Sequence, residues 1–145
     1  MIVEIDNRSE FDIELKKFNN IVELIMNKLG LKNDQEISIS FVNENEMTDL
    51  HQKWMNEAGP TDVMSFRLSE ISPVDKSLGD VIICPAVAIK DSRLKNEPAA
   101  RHLVFLMVHG LLHLAGMDHQ KLSERLKMQK KERFLMSQIE SEFKK

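Results

Sequence analysis

The chain has 145 residues, 42% of them hydrophobic and 30% charged, with a net charge of −3. That balance excludes a wholly disordered chain and a broadly cationic nucleic-acid coat, and it leaves one domain with a core of ordinary size. The start, MIVEIDNRSEFD, has neither the basic nor the apolar segment of a secretory signal, the longest apolar run (roughly 103–117) is short of a bilayer span, and the single cysteine, Cys84, excludes an internal disulfide and suits a reducing cytoplasm.

In chain order, MIVEI predicts a first strand. Phe11, Leu15, Phe18, Val22, Ile25 and Leu29 recur at helical spacing, and Gly30 closes that helix. EISISFV alternates Ile37, Ile39 and Phe41 against Ser38 and Ser40, the pattern of a half-buried strand. A short helix, capped by Asn43 or Asn45, runs to about Asn56 and is broken by GPT. DVMSFRL predicts a third strand and GDVIICP a fourth, closed by Pro85. Helices follow over Ala86 to about Lys95, from Pro98 to Gly116, and from roughly Leu122 to Phe143, the last with a stripe of Met128, Leu135, Ile139 and Phe143. The order is β-α-β-α-β-β-α-α-α. Helical crossovers favour parallel neighbours, and the short link between the third and fourth strands favours an antiparallel pair. The expectation is an α+β fold. Residues 1–145 form a single domain, with a mixed four-stranded sheet, an antiparallel edge strand and about five helices.

Charge is uneven along this order. Residues 1–60 hold six Lys and Arg against twelve Asp and Glu, whereas residues 121–145 hold eight against four. Spacing alone reads the basic end as the solvated face of the last helix, with a phosphate-contacting surface as the alternative.

Three of the five histidines fall in HGLLHLAGMDH, residues 109–119. His109 and His113 are four apart on a predicted helix, so both imidazoles share one face. Gly116 lets the chain turn back, and His119 then approaches from outside the helix to close a third corner. Three imidazoles and one open position are the plan of a catalytic zinc site, which lowers the pKa of a water toward about 7. The same donors suit nickel or another divalent metal. The spacing occurs in metzincin peptidases, H-E-x-x-H-x-x-G-x-x-H, but their general-base glutamate is here Gly110, which disfavours peptide hydrolysis. His102, two turns earlier, is too far away for the same ion. His51 reads as a surface residue, Cys84 as a small core residue, and Trp54 as either a packing or a base-stacking side chain.

HGLLHLAGMDH, PTDVMSF (60–66) and LGDVIICP (78–85) together resemble, in order and separation, three blocks of the YbeY family of bacterial endoribonucleases. The resemblance covers about residues 36–120. It implies an α+β domain with the metal at the end of the H-x3-H helix, and it carries the family's metal ligands onto His109, His113 and His119. It implies a cytoplasmic, single-strand-specific, metal-dependent endoribonuclease acting in 16S rRNA 3′-end maturation and ribosome quality control. One zinc ion would be the cofactor and ribosomal RNA and the small ribosomal subunit the partners, with no membrane and no DNA. Two positions depart from the pattern. Met55 stands where the family commonly has an arginine, and Arg67 where its block usually ends in proline. Arg67, or a lysine of the 121–131 stretch, is expected to supply the missing charge. Asp118, next to the last histidine, is assigned to a general base or to orienting an imidazole, the alternative being a turn residue. Thr61, Asp62 and Ser65 are expected to line the substrate cleft. The alternative to catalysis is a zinc-containing ribosome-assembly or RNA-binding factor with little or no hydrolysis.

Overall fold

The computed structural model describes residues 2–30, 35–67, 77–117 and 120–143. Among them are four strands, β1 (Ile2–Asn7), β2 (Glu36–Phe41), β3 (Val63–Arg67) and β4 (Ser77–Ile83), and five helices, α1 (Leu15–Lys28), α2 (Glu44–Met55), α3 (Pro85–Leu94), α4 (Ala99–Leu114) and α5 (Leu122–Phe143). The sheet order is β1-β2-β4-β3. β1, β2 and β4 run parallel, and β3 pairs antiparallel with β4 at the edge. The expected element order, mixed sheet and antiparallel edge strand are all present.

The strands bury both faces, with two different partners. Val81 and Ile83 of β4 join the main core with Ile37, Ile39 and Phe41 of β2, under α1, α4 and α5. Ile82 faces the other way, into a smaller cluster of Val42, Met47, Met64 and Cys84 beneath α2. This is the two-residue period of a strand covered on both sides. On β3 the same alternation sends Met64 and Phe66 to the α2 side. It leaves Val63, Ser65 and Arg67 on the α4 side.

Two glycines permit the close packing. Gly79 sits at φ +148°, and a Cβ there would come within 2.0 Å of the Phe66 carbonyl oxygen and 2.7 Å of a Leu114 methyl. It lies where the β2–β4 register shifts between Glu36 and Ile37, so β4 bends by one residue as α4 and β3 close on it. Gly110 is helical, and a Cβ there would meet Val81 at 2.7 Å and Ser65 Oγ at 3.2 Å. The position that holds glutamate in the peptidase pattern is thus spent on bringing α4 against the sheet.

Local starts and stops follow the sequence with small adjustments. Asn43 caps α2 by accepting from the Glu46 amide at 2.8 Å. α1 begins at Leu15 rather than near Phe11. Asn7 accepts from the Ser9 amide and donates to the Phe11 carbonyl, a local turn that competes with helix there. His51 is not a surface residue. Its side chain is 12% exposed, with Nδ1 2.8 Å from the Gly59 carbonyl and Nε2 3.1 Å from Glu57, so it ties α2 to the GPT turn. Cys84 is fully buried, and burial pushes its thiol pKa up. Trp54 is 57% exposed and meets Phe66 edge-on at 5.7 Å. Among the described residues no helix is long and apolar enough to cross a membrane.

Candidate metal centre

α4 is apolar almost all round, and ten of its residues from His102 to Leu114 are buried. It ends in a Schellman motif. The Gly116 amide donates to the His113 carbonyl, the Met117 amide donates to the Leu112 carbonyl, each at 3.0 Å, and Gly116 takes φ +98°. That turn is held against β3, because the space a Gly116 Cβ would fill is 3.0 Å from the Arg67 guanidinium.

On the last turns of this helix the rings of His109 and His113 stand edge to face, their centroids 4.7 Å apart. Their Nε2 atoms are 3.2 Å apart. Two imidazoles on one tetrahedral ion, with bonds of about 2.0–2.1 Å, hold their nitrogens roughly 3.3–3.4 Å apart. The pair therefore fits a shared ion with almost no movement. The other side of the His109 ring supports the same use. Its Nδ1 lies 3.0 Å from Glu132 Oε2, and a carboxylate only accepts, so Nδ1 is the donor in that contact and Nε2 is the nitrogen turned toward His113.

Glu132 escaped the sequence reading. It lies four residues after Met128 and three before Leu135, on the apolar stripe of α5, and it is 5% exposed. A carboxylate on a stripe otherwise made of Met128, Leu135 and Ile139 was the available signal. A buried carboxylate needs a partner, and the histidine across the helix interface is that partner.

A cleft of about 480 Å³ brings together five of the residues singled out in the sequence: His109, His113, Asp62, Ser65 and Arg67. Met55 also lines it, so the position of the absent family arginine and Arg67 face one space. Thr61 stands beside the cleft, its hydroxyl 3.4 Å from Asp62 Oδ1. Asp118 and His119 lie outside the described residues.

A second cavity of about 650 Å³ shares Asp62, Val63 and His109 with this cleft and extends to His102 and Glu132. In this region Asp62, Asp91 and His102 each bring a potential ligand atom within 4.8 Å of the others. His102 does not join the His109 pair. The Phe105 ring stacks between them, 6.2 Å from each.

The sequence model described as Endoribonuclease YbeY matches residues 4–140. The chain belongs to the YbeY endoribonuclease family. It is 36% identical over 135 residues to the endoribonuclease YbeY of Beutenbergia cavernae, covering 88% of this chain and 90% of that one. It is 38% identical over 130 residues to that of Acidothermus cellulolyticus, covering 82% and 79%. The solution structure of TM1509 from Thermotoga maritima shares the fold, with a TM-score of 0.73 at 24% identity over 99% of this chain and 92% of that one.

Proposed function

We propose that this chain is a metal-dependent endoribonuclease that cleaves single-stranded RNA, with one zinc ion held by His109, His113 and His119. The observation that carries the reading is the convergence of two imidazole Nε2 atoms at 3.2 Å, with Glu132 fixing one ring from behind, in a cleft that also holds an arginine. When bound, such an ion polarises a phosphoryl oxygen and lowers the pKa of a water.

The chain's own groups supply the rest. The Arg67 guanidinium, on the α4 face of β3, offers a planar donor fork to a phosphodiester and takes over the part of the arginine replaced by Met55. Ser65, on the same face, donates or accepts a hydrogen bond at the cleft floor. Asp118 accepts a proton or orients an imidazole. Glu132 holds the His109 tautomer, so that the ring binds through Nε2 alone. Thr61 and Asp62 form the rim where β3 begins, with Asp62 Oδ1 accepting from the Val63 amide at 2.7 Å. Arg125 of α5 lines the adjoining cavity, which shares His109 with the cleft, and its charge favours an extended polyanion over a small ester.

Membership of the family supports the biological setting proposed for it: maturation of the 16S rRNA 3′ end and ribosome quality control, in the cytoplasm, on the small ribosomal subunit, by one domain spanning residues 1–145. Incubating the purified chain with a labelled single-stranded fragment of the 16S 3′ end tests this. Cleavage should be abolished by a chelator and, at least about 10³-fold, by folded His113→Ala, since an ion's electrostatic contribution is several kcal/mol. A metal-loaded wild type that binds the fragment and leaves it intact would overturn the nuclease and favour the assembly factor.

A further inference from the structure

His102 is 2% exposed, and among the described residues neither of its ring nitrogens has a hydrogen-bond partner. The nearest carboxylate on its own side of the chain, Glu97, has Oε2 3.4 Å from Nδ1, and its Oε1 is already taken by Arg101 at 2.7 Å. A buried imidazole with both nitrogens unsatisfied is costly, because it forfeits the hydrogen bonds it made to water. Such a group persists where something else satisfies it. Here two further carboxylates approach from different elements. Asp62 comes from the turn before β3 and Asp91 from α3, and one oxygen of each lies with a His102 nitrogen inside a 4.8 Å triangle.

We infer that Asp62, Asp91 and His102 form a second divalent-cation site, separate from the His109–His113 pair and independent of the reading given to that pair. Ligands of a tetrahedral ion at bonds of about 2.1 Å are about 3.4 Å apart, so atoms within 4.8 Å of one another reach a shared ion by side-chain movements of under about 1 Å each. Two carboxylates and one imidazole make a mixed oxygen and nitrogen donor set. It suits Mn²⁺ or Zn²⁺ better than Mg²⁺, which keeps oxygen ligands and most of its waters. The ion would cross-link the start of β3, α3 and α4. Asp62 also lines the cleft that holds Arg67, so this ion fixes the rim from which Ser65 and Arg67 project. The competing account has no metal: the carboxylates hydrogen-bond the His102 ring directly after small side-chain movements.

The test is Mn²⁺ titration of the tag-free, full-length chain, followed by the loss of the free-ion EPR signal. The His109→Ala/His113→Ala double variant isolates the new site. It should still bind one Mn²⁺, one fewer than wild type, and its melting temperature should rise with added ion. Adding Asp91→Asn should weaken that binding about tenfold or more, because an amide oxygen is a poor substitute for a carboxylate, and adding His102→Gln should do the same. Asp91 is only half-buried, so its variant tests the site without opening the core. No Mn²⁺ bound by the double variant, or binding unmoved by Asp91→Asn, overturns the site and leaves direct hydrogen bonding by the carboxylates. Wild type and double variant binding equally would instead count against the His109–His113 centre while keeping this one.

Discussion

His109 and His102 lie on one face of α4, seven residues apart, with the Phe105 ring between them, and they are served in opposite ways. His109 has a carboxylate hydrogen-bonded to Nδ1 and a second imidazole facing Nε2, so its tautomer and direction are set before any ion arrives. His102 is more deeply buried, and among the described residues it has no hydrogen bond at all, only carboxylates standing a short distance off. One centre is organised in advance by the packing of α5 on α4. The other has its donors near one another, on three separate elements, and among the described residues no hydrogen bond orients the His102 ring. The difference teaches that burial does not by itself make a histidine a ligand or exclude it as one. What the second nitrogen touches is the informative feature.

Glu132→Gln should break this contrast most strongly. Glutamine keeps the shape, but its amide can present a donor to Nδ1 and so favour the wrong tautomer, making His109 resemble His102. Metal affinity and RNA cleavage should fall about 10–100-fold, with the circular dichroism spectrum unchanged. Unchanged affinity in a zinc-competition titration would show that Glu132 merely fills the interface. Gly110→Ala acts on the same end of the helix by packing. The added methyl would overlap Val81, where its position is 2.7 Å from Cγ1, so α4 must move off the sheet. The expected cost is about 1–3 kcal/mol of stability in urea denaturation. Mn²⁺ binding at Asp62, Asp91 and His102 should change less than binding at the His109 pair, because the shifted turn lies between His109 and His113.

Much of the architecture was legible in the sequence because its signals are local. The alternation of Ile37, Ile39 and Phe41, the short link that makes β3 antiparallel, and the glycine that ends α4 are periodicities and caps, and the structure carries them. What was not legible depends on elements distant in the chain. Glu132 and His109 are 23 residues apart and meet only because α5 folds back on α4. Asp62, Asp91 and His102 come from three separate elements; the sequence placed Asp62 at the cleft and His102 away from the His109 ion, and no local pattern joined the three. His51 read as exposed because its helix is polar, while the carbonyl that buries it belongs to Gly59, beyond the helix end. Gly110 was read for the base it lacks, whereas its packing reason needed β3 and β4 in place.

Arg67→Ala sharpens the comparison from the cleft side. Arg67 lines the cleft with the His109 pair and not the cavity of His102, so its loss should weaken RNA handling with both metal sites intact. An arginine–phosphate contact supports roughly a tenfold loss in kcat/KM, together with a shallower salt dependence. Cleavage unimpaired at saturating and limiting RNA would move the role of the missing arginine to the lysines of α5.

The smallest effect is expected at Asp80, which touches neither histidine site. By strand alternation it shares the α2 side of β4 with Ile82, opposite α4. Burial without a compensating charge raises its carboxyl pKa above the ordinary value. A raised folded-state pKa means that the fold holds the proton more tightly than the unfolded chain does. The stabilising contribution is then complete below the unfolded value near 3.8 and is lost as pH rises through the folded value. At neutral pH the ionised group is therefore a small burden on the fold. Asp80→Asn should raise the melting temperature at pH 7, and the gain should shrink toward zero as pH falls to about that of the free carboxyl. Binding at both metal sites should stay as in wild type. A variant less stable than wild type at pH 7 would mean that the carboxylate makes a favourable contact that outweighs its desolvation, and the difference between the two histidine sites could then no longer be separated from the electrostatics of the sheet beneath them.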